Sequence, residues 1–245
     1  MAFSTRSYAR PYIGVPGLPR GIKWLLIANI ALFVLVHVPA LTRILFNLAL
    51  VPSDVAGRLF LWQLVTYSFL HMGLWEILWN MLALWMFGSD IEQSWGTDRF
   101  LRFYFTCATG AAVFVVLFNY IFGNPSSPAI GASAPIYGIL LVCAVLWPER
   151  TVLFIVFPMK MKYFTILIGA IALYLSFGSA SGATTLGLLT GMVFAYAFLR
   201  APKMKRVDVF GSIEQSFKTW KLNRAKKKFQ VYLKKKGSGR GPWVQ

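Results

Sequence analysis

Apolar runs recur six times along this chain, at about residues 24–38, 66–87, 101–122, 132–146, 163–177 and 183–199. A bilayer core is ~30 Å thick and takes ~20 apolar residues per helical crossing. No water reaches the backbone there, so each run must close its hydrogen bonds internally as a helix. The runs predict an all-α polytopic membrane protein with six transmembrane helices. The charge content agrees: 13% of residues are charged and 57% hydrophobic, about half the charge of a soluble domain. The last three runs are short for full crossings. They predict local bilayer thinning or a helix buried among others.

The basic residues orient the runs. Arg6, Arg10, Arg20 and Lys23 precede the first run. Arg99 and Arg102 lie between the second and third, and Arg150, Lys160 and Lys162 between the fourth and fifth. The intervening loops hold Arg43 and Arg58 in the first and no Lys or Arg in the others. The positive-inside rule then places both termini in the cytosol, and the expected location is a bacterial inner membrane. Three segments follow: a cytosolic lead-in over 1–23, a membrane domain over 24–199 and a basic tail over 200–245. No small-residue cleavage site follows the first run, so the lead-in reads as uncleaved. The tail holds 14 of the 25 basic residues and two acids, Asp208 and Glu214. Its expected partner is the anionic lipid surface; no nucleic-acid motif accompanies it. The loop over 40–63 is too apolar for free solvent and too short to cross, and reads as an interfacial element on the outer side.

Polar residues within apolar runs are costly and are candidates for function. The second run offers His71, Glu76 and Asn80. Glu76 and Asn80 are four apart and share a helix face; on one continuous helix His71 would lie on roughly the opposite face from Asn80. The fourth run offers Ser133 and Tyr137, again four apart. The sixth carries Thr184, Gly187 and Gly191 on one stripe, beside Thr185 and Thr190. Each has an ordinary structural explanation. A membrane serine bonds back to its own helix, and a Gly-x-x-x-Gly pair lets helices approach closely. A carboxylate in hydrocarbon must be protonated or paired, which sets Glu76 apart. Cys107 and Cys143 read as buried free thiols. No His/Cys cluster has metal-ligand spacing, no cofactor is implied, and no inverted repeat points to a transporter.

Taken together, five patterns resemble the rhomboid intramembrane serine proteases over about residues 20–200. They are Trp62-Gln63-Leu64-Val65-Thr66-Tyr67-Ser68-Phe69-Leu70-His71, then Asn80-Met81, then Gly88-Ser89-Asp90-Ile91-Glu92 with Gly96, then Gly131-Ala132-Ser133, then Gly187 to Gly191. The segment Pro158-Met159-Lys160-Met161-Lys162-Tyr163-Phe164 is similar to a subset of bacterial rhomboids. The resemblance implies a six-helix bundle whose site opens to the outer side and cleaves transmembrane substrates. It implies Ser133 as the nucleophile position, with Ala134 where glycine is usual. It further implies Asn80 on the oxyanion side and Tyr137 packed beside the base, with Gly131, Gly187 and Gly191 shaping the site.

The departures from the family pattern concern the histidines. Aligning Gly187 and Gly191 places Thr184 where the family has its general base. The subset's second histidine falls at Ser181, and the oxyanion-side histidine falls at Glu76. The chain has two histidines, His37 and His71, and neither stands at these positions. A serine attacks only when a base takes its proton, and a threonine hydroxyl is no base near pH 7. Losing the base in a serine protease costs on the order of 10⁶ in turnover. An ionised Glu76 would also oppose the developing oxyanion. The sequence therefore predicts a severely impaired protease that binds transmembrane clients, as the inactive iRhom and Derlin branches do. The alternative is an active protease using Ser133.

Overall fold

The computed structural model describes residues 18–154, 157–178, 182–201, 219 and 224; the side chains of 153, 154, 157, 175–178 and 182–186 lie outside that description. Ser181, the Thr184 side chain and the expected basic tail are therefore not located. The first helix, α1 (Arg20–Val36), leads into short pieces: α2 (Pro39–Leu45), a 3-10 turn, α3 (Pro52–Arg58) and α4 (Gln63–Thr66). A sharp bend of 119° separates α1 from Pro39–Leu48. Val38-Pro39 causes it: proline starts a new helix readily but cannot continue an old one. The loop expected at the interface is thus a set of short helices with Leu41, Ile44, Leu59, Leu61 and Trp62 exposed. Gln63 is buried and ties the set together, accepting from Val51 N at 3.0 Å and donating to Asn47 O at 3.2 Å.

The second apolar run is broken, against the expectation of one helix over 66–87. A 3-10 turn at Tyr67–Phe69 gives way to non-helical chain at 70–73, and α5 (Leu74–Ala83) begins only after Gly73. Gly73 is its N-cap, with extended backbone at φ −97° and ψ 133°. Glu76 is the third residue of α5, in its first turn, with its side chain packed beside Gly73. A carboxylate at that position suits a helix start, where backbone N–H donors are left open. A π-helical turn, Leu84–Gly88, then joins α5 to α6 (Ser89–Trp95).

The remaining elements follow the apolar runs closely. They are α7 (Thr97–Phe122), α8 (Ser133–Leu146), α9 (Met161–Gly178) and α10 (Gly182–Arg200). An unexpected antiparallel hairpin, β1 (Thr151–Phe154) with β2 (Phe157–Lys160), precedes α9, in register Thr151↔Lys160. Among the described residues only α7 is long and apolar enough to cross a membrane by itself, and α1 with Pro39–Leu48 passes as a bent pair. The 14-residue α8 reaches about 21 Å at 1.5 Å per residue. It is the central helix, with Ala134, Pro135, Ile136, Gly138, Ile139, Leu140, Val142 and Cys143 buried.

Hydrogen bonds sort the connections onto two ends of the bundle. At one end, Leu50 pairs with Ala129, and Ser53 N donates to Pro125 O at 2.9 Å. The loop after α1 and the loop before α8 therefore meet. At the other end, the buried Glu92 carboxylate accepts from Gly21 N and Ile22 N at 2.8 Å each and from Thr97 Oγ1 at 2.6 Å, capping α1. Arg150, just before the hairpin, pairs there with Asp90. Connections that the charge pattern assigns to opposite sides thus lie at opposite ends.

Candidate active site

Ser133 is the first residue of α8, and three contacts from the 67–80 segment hold the turn leading into it. Gly131 N donates to Tyr67 O at 3.0 Å. Ala132 N donates to His71 Nε2 at 3.2 Å. Asn80 Nδ2 lies 3.3 Å from Ser133 Oγ, and Asn80 Oδ1 lies 3.5 Å from it. Gly131 has φ +108°, a backbone state that side chains resist. A Cβ there would stand 2.5 Å from Glu76 Oε1 and 3.8 Å from Ser133 Oγ. The Glu76 carboxylate and the serine hydroxyl therefore flank one small space at the start of α8. Tyr137 sits one turn further along α8, half-buried.

The glycine stripe of α10 brings that helix against the serine turn. A Cβ at Gly191 would come within 2.1 Å of Ala134 O. One at Gly138, on α8, would meet Gly191 O at 3.1 Å and Cys107 Sγ at 2.9 Å. One at Gly187 would meet Val115 Cγ2 at 2.5 Å. Backbone-to-backbone approach is what small-xxx-small patterns permit. Thr184 lies seven residues before Gly191, two helical turns away on the same stripe.

His71 corrects the expectation of a helix face pointing away from Asn80. The break before Leu74 carries it back across the start of α5. There its Nε2 meets Asn80 Nδ2 at 3.2 Å, and the residue is fully buried. Among the described residues no hydrogen bond joins His71 to Ser133. The signal for this was present in the sequence: Gly73 two residues after His71, followed by a glutamate at the third helical position. His37 lies elsewhere, its Nδ1 2.8 Å from Phe33 O.

The rhomboid domain profile matches residues 58–201, which contain every element just described around Ser133. The chain belongs to the rhomboid family. Rhomboid protein 1, mitochondrial, of Saccharomyces cerevisiae is 25% identical over 197 residues, 77% of this chain and 56% of its own length. Rhomboid protease GluP of Bacillus subtilis is 30% identical over 151 residues, 58% of this chain and 27% of its own. The human presenilin-associated rhomboid-like protein, mitochondrial, is 26% identical over 140 residues, 57% of this chain and 36% of its own. The chain spans just over half, or less, of the length of these rhomboid relatives. Rhomboids are membrane-embedded, and this chain is too. Relatives with mitochondrial and chloroplastic names stand beside the bacterial one, so the family gives a bacterial inner membrane no preference over an organellar one.

Proposed function

We propose that this rhomboid crosses the membrane six times and binds transmembrane helices of client proteins, with proteolysis absent or severely impaired. The observation that carries the reading is that His71 Nε2 lies 3.2 Å from both Ala132 N and Asn80 Nδ2 and forms no hydrogen bond with Ser133 among the described residues. An imidazole engaged in that way cannot also take a proton from Ser133. His37 bonds within its own helix, and Thr184 stands on the stripe where the family base is expected. Glu76 lies in the first turn of α5 and flanks Gly131 together with Ser133, at the position of the family's oxyanion-side histidine. A serine without a base retains whatever binding and orientation the bundle provides, and a client helix needs no more than that.

A second reading is favoured by the contact of Asn80 with Ser133 Oγ: an active protease whose nucleophile is Ser133. Reconstitution with a transmembrane substrate separates the two. The proposal expects co-purification of the substrate without cleavage and no labelling of Ser133 by a fluorophosphonate. Cleavage that disappears in Ser133→Ala would overturn it in favour of the protease.

A further inference from the structure

We propose that His71 is the positioning residue of the Ser133 site, acting as a neutral imidazole with its proton on Nδ1. The inference rests on the reading of Ser133 as the centre of the site. It starts from a donor whose role is fixed. The backbone N–H of Ala132 can only donate, and its partner at 3.2 Å is His71 Nε2. That nitrogen therefore carries a lone pair, and the ring proton is on Nδ1, which is buried. The tautomer in turn fixes the amide of Asn80. An acceptor nitrogen at 3.2 Å is satisfied by the Asn80 NH₂ and repelled by its carbonyl oxygen, so Nδ2 must face His71. With Nδ2 so placed, its second proton is available to Ser133 Oγ at 3.3 Å.

One buried ring thus sets two groups at once. It holds the amide immediately before the serine, and it sets Asn80 so that Nδ2, at 3.3 Å, stands nearer the hydroxyl than Oδ1, at 3.5 Å. A donor aimed at the serine oxygen is the polarity that stabilises negative charge developing beside it. The reverse amide orientation would bring the carbonyl oxygen to the nearer position and oppose such charge. His71 touches no reacting atom in this arrangement. It acts through Asn80 and through the Gly131-Ala132 turn, whose other anchor is Tyr67 O.

The test uses the full chain in lipid, with ¹⁵N-labelled histidine. The chain has two histidines, so a His37→Gln sample assigns both. His71 is expected as the Nδ1–H tautomer with a hydrogen-bonded Nε2. In Asn80→Leu the Nε2 resonance should move toward that of a less bonded imine nitrogen while the tautomer stays. An Nε2–H tautomer or an imidazolium in the unaltered chain overturns the proposal whatever the variants do, and so does an Nε2 resonance indifferent to Asn80→Leu. A second arm reads Ser133 labelling by a fluorophosphonate in a Thr184→His background. There His71→Phe should slow labelling on the order of 10²-fold, the scale of a misplaced reacting group. His71→Gln, whose Oε1 can accept from the same donors, should recover much of the rate; equal losses in both would overturn the positioning role. If Thr184→His gives no labelling at all, the reading of Ser133 as a vacated nucleophile fails, while the resonance arm still decides the tautomer.

Discussion

Gly191 and Gly187 occupy the same stripe of α10 and look alike in the sequence, yet their surroundings differ in kind. A methyl at Gly191 would meet the carbonyl of Ala134, and a backbone oxygen in the central helix cannot turn aside. A methyl at Gly187 would meet a Val115 methyl, the end of a side chain that can rotate. Overpacking a filled interior costs ~1–3 kcal/mol, rising when nothing can give. Gly191→Ala is expected near or above the top of that range and Gly187→Ala near the bottom. Gly57→Ala, with nothing within 4 Å, should leave stability unchanged or slightly raised through better helix propensity. Thermal unfolding of the three variants in detergent checks the order. Equal losses at 187 and 191 would mean that α10 can shift against α8 to relieve the Ala134 contact, and that the close approach at Gly191 does not fix the α10–α8 register.

The hairpin before α9 is an element whose stability is expected to depend on pH. Glu149 lies beside it, with Lys160 Nζ at 2.6 Å and Lys162 Nζ at 2.5 Å. The Lys160 hydrogen bond, then that of Lys162, holds the Glu149 carboxyl down to about 2 from an ordinary value of 4.5. A depressed carboxyl favours the folded hairpin fully above its unfolded value, and the favour is lost as pH falls from about 4.5 through about 2. Exposure to solvent keeps the effect small. Backbone exchange in Thr151–Phe154 and Phe157–Lys160 should therefore be flat from pH 5 to 8, after correction for intrinsic rates, and should loosen at lower pH. Glu149→Gln should abolish that acid dependence; a pair that contributes nothing would leave the two profiles the same. Elements differ in how far the sequence exposes them. The run over 132–146 became α8 almost to the residue, and that over 101–122 became α7 with one more turn at its start, because apolar length suffices to mark them. The second run misled because its hydropathy does not change at the break. What changes is the backbone, at Gly73, and hydropathy cannot see it. The hairpin was hidden for a related reason: its strands pair across a short loop, and the ion pairs beside it join Glu149 to lysines eleven and thirteen residues away. The same blindness put His71 on the wrong face of a helix that does not exist there, while Ser133, Asn80 and Glu76 were legible because each sits near a regular helix start or within one.

At the scale of the whole molecule, the decisive fact is that connections segregate to two ends. The Ser133 turn, the short helices after α1 and the Tyr67–His71 segment share one end. Glu92 with the start of α1, the Asp90–Arg150 pair and the hairpin share the other. Basic residues are concentrated at the second end, which the positive-inside rule assigns to the cytosol. If the chain crosses six times, the two ends must lie on opposite faces of the membrane, and the site must open away from the cytosol. Both native cysteines are buried, Cys107 fully and Cys143 to within 1%, so they should give little background to a membrane-impermeant maleimide. Ser126, exposed in the loop before α8, and Lys160, half-exposed on the hairpin, mark the two ends. In sealed cells or vesicles of known orientation, Ser126→Cys should label from the outer face without permeabilisation. Lys160→Cys should label only after it. Labelling of both from one face would overturn the alternating path itself. The reverse pattern would keep the path and invert the orientation, placing Ser133 on the cytosolic side.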